Sequence, residues 1–321
     1  MNKSNIDQKI LEKIEQLAEK YDAMGQDLES YLDGLLHSDF LKYWDYINLD
    51  SLLGLQQPKT GFPDEMIFII YHQITELYFK LIRWEMKQVH EGVHPNAGEF
   101  TMRVKRINNY FAHLCHSFVI MTEGMEREQF LQFRMALLPS SGFQSGQYRM
   151  IEIGYTSLHN LINSELRKNV SKDASLTELY ENIYWKTGAT ELSSGKKTLT
   201  LEHFEKKYTN DFLHLAKDTE QSNFYQLFLT HYQNGDNEEL VTELRKLDLL
   251  ANVDWPLAHY RSAVKYLQKD PVDIAATGGT NWQKYLPPRF QKVIFFPELW
   301  KKEEQETWGK HWVLDQLGSK H

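Results

Sequence analysis

The feature that most constrains this chain is the stretch from Pro63 to Arg83, where apolar residues recur on almost every side of a helical wheel. Proline followed by Asp64 and Glu65 starts a helix, because proline fits the first turn and acids complement the dipole there. From Met66 onward a helix so apolar all round must lie centrally, with neighbours on several faces. Into it the chain sets His72, four residues after Phe68 and so on the same face. A histidine in such a place is either a hydrogen-bonded core residue or a group that works in a site. Only the rest of the chain distinguishes the two.

Length and composition narrow the setting. A chain of 321 residues buries enough surface for a sizeable core. Its formal charge of −8 speaks against nucleic acid or an anionic membrane as partner. The 8 Trp, 17 Tyr and 17 Phe suit thick helix packing or a pocket for a flat ligand. Cys115 is the single cysteine, which excludes an intrachain disulfide and a cysteine-based metal site, and fits a reducing cytoplasm. The N-terminus has no apolar signal core, and the run Met66 to Tyr71 is too short to span a bilayer. The expectation is a cytoplasmic protein with no membrane partner.

Along the chain, residues 5–23 carry Ile6, Ile10, Ile14, Leu17 and Tyr21 at helical spacing, and their stripe has no partner nearby in sequence. A second short helix is expected over 28–36. Residues 40–55 are dense in aromatics, and 56–61 form a loop by their Pro and Gly. Helices are expected over 99–121, 126–138, 143–162, 176–184, 201–216, 224–231, 238–250 and 255–268, with a charged one from Pro297 into Trp312. Residues 185–200, polar and rich in small side chains, read as a surface excursion. Strand alternation is nearly absent, so the fold class is all-α. The organisation expected is an N-terminal helical arm, 1–39, followed by one helical domain, 40–321.

Four places can carry chemistry. Phe68 with His72 is the first. The second is Phe130 with Arg134, one helical turn apart. An arginine there either lies along the surface with its head in water or offers a fork to a carboxylate. The third, from Pro139 through Ser141 and Gly142 to Ser145, is either ordinary helix punctuation or a backbone cradle for an anion. The fourth places His259 four residues after Trp255, followed at a distance by Thr277-Gly278-Gly279. No paired His or Glu-x-x-His spacing supports zinc or a di-iron centre. A lone histidine is, however, all that haem asks of a protein.

Taken together these stretches resemble the tryptophan 2,3-dioxygenases. The likeness is carried by Phe68-Ile-Ile-Tyr-His72-Gln-x-x-Glu76-Leu, by Phe133-Arg134, and by Pro139-Ser-Ser-Gly-Phe-Gln-Ser-x-Gln147-Tyr-Arg149 with Glu152 beyond. Tyr43-x-Asp-Tyr46-x-x-Leu49-Asp lies upstream, and Thr277-Gly-Gly and Phe296-Pro-Glu-Leu299 match more loosely downstream. The resemblance implies an all-helical, homotetrameric haem b enzyme that opens the indole ring of L-tryptophan with O₂ to give N-formylkynurenine. It implies that His72 is the distal histidine facing the indole N–H, and that Phe68, Ile69, Ile70, Tyr71 and Phe130 line the substrate. Arg134 would bind the carboxylate and Thr277 the amino-acid end. Ser141 and Gly142 would lie over the haem, with His259 as its axial ligand. The N-terminal arm, with Tyr43 and Tyr46, would reach a neighbouring subunit. The sequence departs from the family pattern at Ala276–Trp282, where a Gly-Thr-Gly-Gly-Ser-Ser-Gly run is usual. Beside it stand two other readings of the same resemblance: another haem-dependent oxygenase, a hydroxylase, of an indole or phenol amino acid, or a haem or tryptophan sensor without turnover.

Overall fold

The computed structural model describes residues 7–38, 42–90, 96–137, 144–189, 196–235, 237–267 and 288–309. Among these residues there is no strand, only an isolated bridge between Ile162 and Ile183, so the protein is all-α. No helix among them is long and apolar enough to cross a membrane. The chain divides into two compact units, Met1–Gln56 and Gln57–His321.

The first unit holds α1 (Gln8–Ala23), α2 (Leu28–Leu36), α3 (Tyr43–Tyr46) and α4 (Leu49–Leu53). Asp7 and Asp27 cap α1 and α2 with side-chain oxygens, as N-cap residues do. Asn48 turns the chain between α3 and α4 in the left-handed region, φ 50°, which asparagine tolerates. No residue of these four helices is buried. Ile10, Ile14 and Leu17 of α1 stand exposed, as do Tyr43, Trp44 and Tyr46 of α3.

The second unit is built on α5 (Asp64–His90) and α6 (Ala97–Glu123), two 27-residue helices packed along each other. At 1.5 Å per residue each is about 40 Å long. Asn96 and Glu99 form a reciprocal capping box at the start of α6. Glu85, buried on α5, receives Arg103 at 2.6 Å and Arg106 at 3.3 Å, which fixes the register of the pair. Phe79, Ile82, Met86 and Val89 of α5 meet Phe100, Val104, Ile107 and Phe111 of α6 in the main core. That core continues through α8 (Gly146–Tyr155), α11 (Leu199–Asp218) and α13 (Glu238–Leu249).

Three expectations are corrected. The helix expected over 143–162 runs only as α8, because Thr156 is extended (φ −147°, ψ 167°) and gives its hydroxyl to Phe295 O at 2.6 Å. The excursion expected from residue 185 instead begins with α10 (Tyr184–Gly188), and Trp185 is buried among Tyr180, Phe204 and Phe212. Its polar neighbours in sequence had masked one large apolar anchor. Finally, Pro256 does not open a separate helix. α13 passes through a π turn, Leu250–Asp254, straight into α14 (Trp255–Leu267). The wider turn accommodates a residue that has no N–H to continue an ordinary helical ladder.

The end of α13 also anchors the C-terminal segment. Buried Asp248 accepts from Phe295 N (2.7 Å), Phe296 N (3.1 Å), Trp300 Nε1 (2.9 Å) and Asn252 Nδ2 (2.8 Å). Arg245, one turn earlier, donates to Leu299 O and Glu304 and lies 4.0 Å over the Trp300 ring.

Candidate active site

The N-terminal half of α5, helix α7 (Arg127–Phe133), the C-terminal half of α6 and helix α14 converge on a second aromatic cluster. Asp64 sets the spacing of the first two. Its carboxylate accepts Glu126 N at 2.6 Å at the start of α7, while its own N–H donates to Gln129 Oε1 at 3.2 Å. Thus the acid that sequence alone assigned to the helix dipole instead ties two helix starts together. Beside it, Glu65 accepts Lys59 N, Thr60 N and the Thr60 hydroxyl, closing the loop that leads into α5.

Phe68 and His72 share a face as their spacing predicts, with ring centroids 4.1 Å apart. Phe68 also meets Phe130 at 6.2 Å and Phe133 at 5.7 Å. The ring of His72 keeps accessible surface, with Phe68 on one side and Tyr71 edge-on at 5.7 Å. Its Nδ1 lies 2.7 Å from Phe68 O. A carbonyl can only accept, so Nδ1 carries the proton and Nε2 of the neutral ring keeps a lone pair. Burial lowers the proton affinity of this imidazole, opposed by the Phe68 carbonyl and by Glu76 one turn on. The ring is therefore neutral near pH 7. Glu76 is itself held by Gln147 of α8, whose Nε2 donates to its carboxylate and its carbonyl, both at 2.9 Å.

Arg134 completes the helical turn begun at Phe130, donating its N–H to Phe130 O. Its side chain is 5% exposed, and burial lowers its proton affinity. A guanidinium stays ionised even so, which makes it a buried cation directly following Phe133 of the aromatic cluster.

Tyr71 and Ile70 lie elsewhere on the helix. Tyr71 is buried, meets His72 edge-on at 5.7 Å and packs on Phe118 at 5.6 Å, with its hydroxyl 3.4 Å from Ser117 Oγ. Ile69 is half-buried. Ile70 is exposed, on a stripe that continues through Leu77, Leu81 and Trp84.

On the other side of the cleft, His259 of α14 stacks on Phe118 at 5.9 Å and 24°. Phe118 in turn packs on Trp255 at 4.9 Å. Burial pushes the His259 imidazole down to about 4, and a charge on His72 disfavours its protonation further. The two histidines, 187 positions apart in the sequence, are joined through two rings: Tyr71 meets His72 and Phe118, and Phe118 stacks on His259. Ser141, Gly142 and Thr277 lie outside the described residues, as do Ala276–Trp282. Sequence reasoning passed over Asp64 as a clamp, Phe118 as the partner of His259, and Tyr266 on α14. Tyr266 follows His259 by seven residues, a spacing that returns to the same helix face.

Two histidines and a buried arginine thus stand in, or directly beside, one aromatic cluster of an all-helical unit. Residues 26–254 match the model of the tryptophan 2,3-dioxygenase family. The chain belongs to that family. The matched stretch contains Phe68, His72, Phe130 and Arg134 and ends just before His259. Proteins named tryptophan 2,3-dioxygenase are similar over most of their length. That of Polaromonas naphthalenivorans (strain CJ2) is 28% identical over 266 residues, 81% of this chain and 90% of its own. That of Ruegeria sp. (strain TM1040) is 28% identical, covering 82% and 92%. That of Bacillus thuringiensis subsp. konkukian (strain 97-27) is 26% identical, covering 83% and 94%.

Proposed function

We propose that this chain opens the indole ring of L-tryptophan with O₂, giving N-formyl-L-kynurenine, in a cleft that holds haem b on His259. The observation that carries the reading is the aromatic cluster that joins His72 to His259 through Tyr71 and Phe118, with buried Arg134 directly following Phe133 of the same cluster.

The residues present fit haem. His259 is half-buried against Phe118, is neutral at physiological pH and so offers a lone pair to iron. Among the described residues no group of three His, Cys, Asp or Glu side chains could hold a bare metal ion. Rings surround His259 instead, with Phe118 stacked on it and packed on Trp255, as an apolar macrocycle needs. When bound, ferrous haem would supply oxygen activation, the chemistry no side chain here provides. In the same reading Ser141 and Gly142 would cover its distal face.

The remaining work falls to the chain. Arg134 would bind the substrate carboxylate by two parallel hydrogen bonds and so fix how the indole enters. Thr277 would hold the amino-acid end. Phe68 and Phe130 would bracket the indole rings, with Tyr71 behind His72, whereas Ile70 stands on the exposed stripe with Leu77, Leu81 and Trp84 and would not join them. Nε2 of His72 would accept the indole N–H, since Nδ1 already donates to Phe68 O. The neutral ring supports this role, because a protonated His72 would have no acceptor left.

The reading extends to assembly and setting. An N-terminal arm, 1–39, would pack a homotetramer around the catalytic domain, 40–321, with Tyr43 and Tyr46 reaching a neighbouring cleft in the cytoplasm. The exposed Ile10, Ile14 and Leu17 of α1 support such a covered face. Light scattering on the purified chain tests it, and a monomer at all concentrations refutes it.

The decisive experiment loads the protein with haem, reduces it without oxygen, adds L-tryptophan and air, and identifies the product. N-formylkynurenine is expected. Hydroxylated tryptophan, or no product, would sink the proposal. Arg134→Ala should raise KM for tryptophan by about 10- to 150-fold, the equivalent of about 1.5–3 kcal/mol of lost charged hydrogen bonding. His259→Ala should abolish the axial-histidine spectrum, and its persistence would move the ligand to another residue.

A further inference from the structure

The wall behind Phe130 is built by a residue that none of the four sequence constellations contains. Tyr266, 2% exposed, places its ring 4.7 Å from that of Phe130 at an interplanar angle of 46°. Phe130 is only half-buried and meets Phe133 at 5.5 Å and Phe68 at 6.2 Å on its other sides. Tyr266 is thus the fully enclosed backing, and Phe130 is the ring with surface left to offer.

The backing is held in place from behind. The Tyr266 hydroxyl donates to Met121 O and lies 3.2 Å from Met125 O, at the C-terminal end of α6. That anchor stops the ring from swinging away, so Phe130 cannot retreat into its space. Close-packed interiors leave no spare room for such a movement. Deleting the backing would open a ring-sized void that Phe130 can fill by turning, and the front of the cleft would widen by a similar amount.

We infer that Tyr266 is the specificity-determining residue that sets the size of the indole compartment, by holding Phe130 forward and excluding substrates with substituents on the benzo ring. The inference rests on the proposed use of this cleft for an indole amino acid. A pocket discriminates one methyl group by about 10- to 200-fold, so the movement of one ring is enough to change which rings fit.

The test measures binding rather than turnover. Haem-loaded protein, reduced and kept anaerobic, is titrated calorimetrically with L-tryptophan and with 4-, 5-, 6- and 7-methyltryptophan. In Tyr266→Val the ratio of affinities should shift toward at least one methyltryptophan by about tenfold or more. Tyr266→Phe keeps the ring and loses the anchor, so its ratios should shift in the same direction but by less than those of the valine variant. If the valine variant does not fold, Tyr266→Leu is titrated in its place. Unchanged ratios in a folded Val or Leu variant overturn the role of Tyr266 while leaving the indole site standing. A phenylalanine variant that shifts as far as valine also overturns it, since the bulk of the ring behind Phe130 would then contribute nothing. A wild type that binds none of the five compounds removes the parent reading and this one with it.

Discussion

One helix serves two unlike regions, and the contrast explains how a rigid fold carries an open site. The C-terminal half of α5 ends in the main core, where Phe79, Ile82, Met86 and Val89 are buried against α6 and α8. The N-terminal half enters the smaller cluster, where Phe68, Phe130 and Ala258 are only partly covered. The core holds its rings by packing on every side. In the cleft, rings are packed on one side and left available on the other. Precision there comes from fixed points outside the cleft: Asp64 on α7, Gln147 on Glu76, and the Tyr266 hydroxyl on α6.

The largest test of that contrast pairs one ring from each region. Phe100 is fully buried and meets Phe224 at 5.0 Å and Tyr232 at 5.5 Å. Phe100→Ala should cost about 3–5 kcal/mol in urea unfolding. Phe68→Ala, on the open side of the same helix pair, should cost well under half as much while weakening tryptophan binding. Equal losses would mean that the two clusters are energetically one. Next in size is the clamp between helix starts. Asp64→Ala strands the Glu126 N–H and should cost about 1–3 kcal/mol, with a rise in KM as α7 loosens. A variant with unchanged KM would show that α7 is held without it.

The smallest effect is a pH dependence in the core region. Burial raises the Asp248 carboxyl to about 6, against the bonds from Phe295, Phe296, Trp300 and Asn252, which favour its anion. Its unfolded value is lower, so between roughly pH 4 and 6 the folded chain holds a proton that the unfolded chain releases. The stability this proton contributes is complete at the acid end and lost as pH rises through about 6. The difference in unfolding free energy between wild type and Asp248→Asn should therefore shrink with rising pH, by on the order of 1 kcal/mol per unit. A flat difference would show that the four donors hold Asp248 ionised throughout.

The sequence alone determined what is local. Helical periodicity placed Phe68 with His72 and Phe130 with Arg134, because residues four apart meet on a helix whatever surrounds it. The scarcity of strand alternation settled the all-α class for the same reason. The resemblance tied those pairs to one chemistry before any distance was known. Tertiary structure decided what depends on residues far apart in the chain. Pro256 marks a helix start in sequence, yet the π turn before it carries α13 directly into α14 and so sets where His259 points. Asp64 looks like a dipole partner until Glu126, 62 residues later, is found on its carboxylate. Tyr266 carries no signal beyond its spacing from His259, and its meaning lies in a ring 136 positions earlier. Such contacts are invisible to periodicity because packing, not propensity, brings those segments together.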